Sequence, residues 1–87
     1  MAAQLDLLYF AWVREAIGLD GERIVHPGAQ VRIKDVLDQL AARGGGYAEV
    51  LADRAKLRAA LDQCFVPLDT PLGEGRELAL FPPVTGG

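Results

Sequence analysis

The residues that carry most transfer and hydrolytic chemistry are scarce in this chain. Its 87 residues include one cysteine, Cys64, and one histidine, His26, and neither serine nor asparagine occurs. A serine triad is excluded, and a Cys–His dyad would require the only copies of both residues to meet. One cysteine forms no internal disulfide and no CxxC metal knuckle, so a reducing, cytoplasmic setting is expected. Neither HExxH nor GxxxxGKS/T is present. The Gly44-Gly45-Gly46 run leads into Tyr47 and Ala48 rather than lysine and a hydroxyl residue, which makes it a poor phosphate loop. No metal site is expected. His26, just before Pro27, reads as a strand-end residue without a chemical task. Cys64 reads as a small core hydrophobe rather than a sulfur-accepting thiol. The carboxylates show no paired spacing and read as solvated surface.

The remaining candidate is the end of the chain, Pro82-Pro83-Val84-Thr85-Gly86-Gly87. Pro82 and Pro83 have no N–H and cannot continue a sheet ladder, so a sheet should stop at Phe81. Beyond it the backbone is stiff for two residues and then freer, with a reach of ~20 Å over six residues. Gly86 and Gly87 carry no side chains and fit a narrow channel. A terminal carboxylate is ionised at neutral pH, its ordinary pKa being ~3.5. The bland alternative is an inert glycine-rich end.

The elements that would position this end are legible from periodicity. Residues 4–10 alternate as a strand, with Leu5, Leu7 and Tyr9 on one face and Asp6, Leu8 and Phe10 on the other. Residues 12–17 fit a short helix closed by Gly18, and residues 22–26 a second strand closed by Pro27-Gly28. Ile33, Val36, Leu37, Leu40 and Ala41 form the apolar stripe of a helix over residues 33–43. There, Arg43 suits the helix C-terminus and Gly44 the stop, while Arg32 is a weak N-cap. Residues 47–53 allow one or two further helical turns. Residues 57–61, 64–66 and 77–81 read as strands, with turns at Asp62-Gln63 and Gly73-Glu74-Gly75. The three phenylalanines, Phe10, Phe65 and Phe81, each alternate with residues assigned to the core, which places all three on the opposite face of the sheet.

These elements make an α+β domain, a four- to five-stranded sheet with one main helix on one face, over residues 1–81, followed by the tail at 82–87. The length suits one small domain. Nine basic against twelve acidic residues leave a net charge of −3. With a pI near 4.9, that argues against a nucleic-acid partner. Hydrophobic residues make up 51%, which argues against disorder. A mean hydropathy of +0.15 leaves apolar surface over for a partner. The first ten residues have no cationic start and no apolar run approaches the ~20 residues of a membrane span, so neither a signal peptide nor a membrane segment is expected.

The run Leu80-Phe81-Pro82-Pro83-Val84-Thr85-Gly86-Gly87 resembles the C-terminus of molybdopterin synthase small subunits, within the MoaD/ThiS family of ubiquitin-like sulfur carriers. The resemblance extends upstream to Tyr9-Phe10-Ala11-Trp12-Val13-Arg14-Glu15, to Leu61-Asp62-Gln63 with Cys64-Phe65-Val66, and to Leu72-Gly73-Glu74-Gly75-Arg76-Glu77-Leu78. Arg32, Asp62 (where the family commonly has asparagine) and the glycine run at 44–46 depart from the pattern without touching the tail. The resemblance implies a mixed β-grasp sheet and a carrier whose Gly87 carboxylate is the reacting group. An E1-like adenylating enzyme would use ATP to make the acyl-adenylate, and a sulfur-donor protein would supply the sulfur of a thiocarboxylate. The tail would then enter the molybdopterin synthase large subunit and give that sulfur to a pterin precursor. The chain itself would be a non-catalytic, sulfur-donating subunit with no permanently bound cofactor. Phe10, Phe65 and Phe81 match the family's partner-binding positions, and the resemblance adds Arg14. Alternatives are a carrier serving thiamine synthesis or tRNA thiolation, a ubiquitin-like modifier conjugated to lysines, and an interaction module with an inert tail.

Overall fold

The computed structural model describes residues 3–83. In chain order the elements are β1 (Gln4–Tyr9), α1 (Ala11–Ile17), β2 (Gly21–Val25), α2 (Ile33–Ala41), α3 (Gly45–Leu51), a single 3₁₀ turn (Arg54–Lys56), β3 (Arg58–Leu61), β4 (Cys64–Val66) and β5 (Glu77–Phe81). The five strands form one sheet in the order β2-β1-β5-β3-β4. β1 and β5 run parallel at its centre, while β1–β2, β3–β4 and β3–β5 are antiparallel. This is the β-grasp arrangement.

Alternation in β1 turns Leu5, Leu7 and Tyr9 inward, and the register sets Leu7 beside Leu78 and Tyr9 beside Leu80. Ile33, Val36, Leu37 and Leu40 of α2 cover them, together with Val13 of α1 and Val50 and Leu51 of α3, in a single apolar cluster. α1 ends at Gly18, whose φ of 89° is left-handed and whose N–H closes on the Arg14 carbonyl. The third residue of the glycine run has a packing task. A Cβ on Gly46 would collide with the Ala16 carbonyl oxygen, so glycine is what lets α3 lie against the end of α1.

Two details differ from expectation, the end of α2 and the exposure of Cys64, and two others add to it. α2 stops at Ala41, because Arg43 and Gly44 donate their N–H groups to Leu40 and Ala41 in tighter i→i−3 bonds. At its start the Ile33 and Lys34 N–H groups donate to the distant carbonyls of Thr70 and Leu68, while within the helix the Asp35 carboxylate accepts the Arg32 N–H at 3.0 Å. Cys64 is exposed rather than core, because β4 is the sheet's edge strand. Asp62 sits at φ 50° in the β3–β4 turn, and its Oδ1 accepts the N–H groups of Arg76 and Glu77 at 2.9 and 3.1 Å, tying the turn to the entry of β5.

The reading of every carboxylate as solvated surface also fails at Glu22. Its Oε2 accepts the hydroxyls of Tyr9 (2.8 Å) and Tyr47 (2.5 Å), and its Oε1 accepts Arg43 Nη1 at 2.7 Å. The Arg43 guanidinium also lies 5.0 Å from the centre of the Tyr47 ring. Burial pushes the Glu22 carboxyl upward, but the hydrogen bonds from Tyr47, Arg43 and Tyr9 outweigh it and hold the group below its ordinary range. Burial, and then Glu22 as acceptor, push the Tyr9 phenol far upward, so it remains a neutral donor.

A carboxyl with a depressed folded-state pKa adds stability above its ordinary pKa of ~4.3 and loses it as pH falls through the folded value. Acid should therefore unfold the native chain more readily than neutral buffer does, and Glu22→Gln should flatten the part of that slope due to this group. Glu22→Ala strands the buried Tyr9 hydroxyl and should cost ~1–3 kcal/mol in urea unfolding at pH 7.

Candidate functional site

β5 is bonded on both sides, so the chain leaves the sheet from its middle rather than from an edge. At this exit the Phe10 N–H donates to the Leu80 carbonyl at 3.1 Å, extending the parallel pairing one step past Tyr9–Leu80. Phe81 is the last sheet residue. Pro82 and Pro83 follow it, half-buried, and with Trp12 and Lys56 they line a groove of about 400 Å³. Val84, Thr85, Gly86 and Gly87 lie outside the described residues. Next to the exit, Ala11 takes a left-handed φ of 52° as the chain turns from β1 into α1, a conformation that costs a non-glycine residue ~1–2 kcal/mol.

The helices cover one face of the sheet, and the other carries the phenylalanines. Phe65 on β4 is 81% exposed, Phe10 is 46% exposed, and Phe81 is half-buried. Phe65 pairs with Ala60 of β3 and Phe81 with Arg58 of the same strand. Because Ala60 is small, the two rings meet across β3, their centroids 5.5 Å apart at an interplanar angle of 46°. Phe10, at the N-cap of α1, stands at the end of the neighbouring strand β1. Arg58, Val66 and Pro67 join Phe65 and Phe81 around a second groove of about 400 Å³. Arg14 is elsewhere, on α1, with its guanidinium 3.8 Å from Asp20 in an exposed pair that carries little energy.

The two lone reactive side chains are far apart. His26 follows β2 at one edge of the sheet, and Cys64 opens β4 at the other. Four inter-strand spacings separate those edges, about 19 Å, so a Cys–His dyad cannot form. His26 also lies beside Ala3, at the end of β1 away from the tail, and its Nδ1 accepts the Gly28 N–H at 3.0 Å. Among the described residues, no three His, Cys, Asp or Glu side chains are placed to hold a metal, and no helix is long and apolar enough to cross a membrane. Sequence reasoning had not singled out Arg58, Trp12 or Lys56. Period two was the available signal for Arg58, because Ala59 beside it is core; Trp12 entered only as part of the run that carries the resemblance and Lys56 not at all, since tertiary folding sets them against Pro82 and Pro83.

The ThiS family model matches residues 7–87 of the chain. Over 84 residues it is 42% identical to the molybdopterin synthase sulfur carrier subunit of Escherichia coli, with 95% of this chain and 99% of that protein aligned. Identity to the protein of the same name from Haemophilus influenzae is 39% over 83 residues, with the same coverage. A chain in the solved protein–protein complex of subunits 1 and 2 of the molybdopterin-converting factor from Helicobacter pylori superposes with a TM-score of 0.61 at 26% identity, covering 97% of this chain and 99% of that one.

The exposed ring of Phe65 has little to lose on unfolding. Phe65→Ala should change stability by no more than ~0.5 kcal/mol, whereas Leu78→Ala, at a fully buried position, should cost ~2–5 kcal/mol. Paired urea titrations of the two variants check the assignment of faces.

Proposed function

The chain belongs to the ThiS family, and on that premise we propose that it is the sulfur carrier subunit of a molybdopterin synthase, with the Gly87 carboxylate as its working group. The observation that carries this reading is the match over nearly its whole length to proteins of that name. The geometry agrees with it: the tail begins where the central strand ends, with Pro82-Pro83 as the stem.

A carboxylate is a poor electrophile because its charge is delocalised, so it has to be activated. An E1-like adenylating enzyme would let a Gly87 carboxylate oxygen attack the α-phosphorus of ATP, forming the acyl-adenylate and releasing pyrophosphate. Sulfide-level sulfur from a donor protein would attack that carbonyl as its bond to the AMP oxygen breaks, and a thiocarboxylate would remain. Its sulfur would then attack a carbon of the pterin precursor held by the large subunit, displacing an oxygen substituent and leaving a thioester. Water would add to the thioester carbonyl and break its C–S bond, so that the sulfur stays on the pterin and Gly87 returns as a carboxylate, ready for another cycle. Every acid, base and phosphate contact in this sequence belongs to the partners. The carrier contributes a side-chain-free end, Gly86-Gly87, and the residues before it, Val84 and Thr85, that fill the partner's channel.

The face bearing Phe10, Phe65 and Phe81 would dock the large subunit. Burying each ring contributes ~1.5–3 kcal/mol, roughly 5–9 kcal/mol for three, against ~4–15 kcal/mol lost in association. The rings alone about break even, so the inserted tail must add affinity. Arg14, on α1 and away from the grooves beside the phenylalanines, would supply a separate charged contact.

Incubation with the adenylating enzyme, ATP and a sulfur source should replace one oxygen of the chain by sulfur, read by intact mass. Removal of Gly87 should abolish that change and leave thermal unfolding unaltered. An unchanged mass in the full chain would sink the proposal, and attachment to lysines of other proteins would make it a modifier instead. Phe81→Asp should keep the fold and lose binding to the large subunit in a calorimetric titration.

A further inference from the structure

We infer that the docking face reads its partner through a cation as well as through aromatic rings: Arg58 offers its guanidinium to a carboxylate of the large subunit, at the mouth of the channel that takes the tail. This rests on the reading of that face as the large subunit's docking surface. Arg58 opens β3 and lies opposite Phe81, the last residue before Pro82, in the β3–β5 register. Ala59 is buried in the core, so alternation sets Arg58 with Ala60 on the phenylalanine face, and Arg58 lines the same groove as Phe65 and Phe81. Its place is therefore fixed relative to both the rings and the root of the tail.

The chemistry of the guanidinium decides what must face it. Nη1 donates to the backbone carbonyls of Ala55 and Leu57 at 3.3 and 2.9 Å, which anchors the group without neutralising it. A guanidinium has five N–H donors, so donors remain for an outside acceptor. Among the described residues, no carboxylate lies within ion-pair distance of Arg58. By contrast Arg23, on β2, is paired with Asp6 at 2.6 Å, and Arg43 and Arg54 are paired with Glu22 and Asp38 at 2.7 Å. A partner covering Phe65 and Phe81 must also strip water from Arg58. An apolar or cationic surface there would leave a buried charge without compensation, whereas a carboxylate matches the planar fork in a bidentate pair. The position also bears on selectivity, because a partner with a fitting apolar pocket but no acid at the channel mouth would be rejected.

The test titrates the full-length chain against the purified large subunit of molybdopterin synthase by calorimetry at low and high salt, with thermal unfolding as the check that each variant is folded. Native Kd should rise with salt. Arg58→Gln should weaken binding about tenfold or more at low salt and flatten the salt dependence. Arg58→Lys should recover only part of the loss, because an ammonium lacks the fork. Arg58→Glu should bind more weakly than Arg58→Gln; if it fails to fold, Arg58→Gln and Arg58→Lys with their salt slopes decide. Native-like affinity and salt slope in Arg58→Gln, alongside lost binding in Phe81→Asp, would overturn the inference and leave the docking reading standing. Native-like binding in Phe81→Asp as well would overturn both.

Discussion

The structure depends on its last strand being its central one. β5 is hydrogen-bonded to β1 in parallel on one side and to β3 antiparallel on the other, and Leu78 and Leu80 on it are fully buried. No edge strand could root the tail in this way. An edge frays on its open side, while β5 is held along both, and the Phe10 N–H adds a bond to Leu80 one residue before the exit. Pro82 and Pro83 then end the ladder for want of N–H groups. The segment that leads on to the C-terminal residues thus begins at one of the most constrained points of the fold.

The same strand period that builds the core also furnishes the second surface. Leucines face the helices from β1 and β5, and the residues between them must face the other way. Over the β3–β5 pair that opposite face is floored by Ala60 and Ala79, both buried and both small. The small floor lets Phe65 reach across a strand to Phe81. A helix could have covered these rings, yet α1, α2 and α3 all pack into the one cluster on the other side. Two of the three rings are thereby left exposed on that face, Phe65 at 81% and Phe10 at 46%.

The polar cluster around Glu22 is the counterpart at the far edge of the sheet. It ties β2, an edge strand, to β1 through Tyr9 and to the α2–α3 region through Arg43 and Tyr47. This explains why Arg43 leaves the end of α2: a carboxylate that accepts three donors is a better partner for a guanidinium than the half-charge of a helix terminus.

Much of this could be read along the chain. The alternation in β1 and β5, the α2 stripe, the Gly18 stop, the exposed side of the phenylalanines and the proline-stemmed end all follow from local periodicity and backbone chemistry, because each depends on neighbours within a few residues. The illegible features rely on partners far away in the chain. Glu22 meets residues 13, 21 and 25 positions away. The cap of α2 comes from carbonyls at Leu68 and Thr70, which is why Arg32 could stand where a capping side chain was expected. Cys64 looked like core because its side of β4 faces inward by alternation, yet β4 is an edge strand and the side chain at its start is left exposed. Period and propensity act over one turn or one pleat. The order of strands and the meeting of distant polar groups are settled only when the chain closes on itself, since burying a carboxylate or leaving a cysteine at an edge depends on what else has packed there.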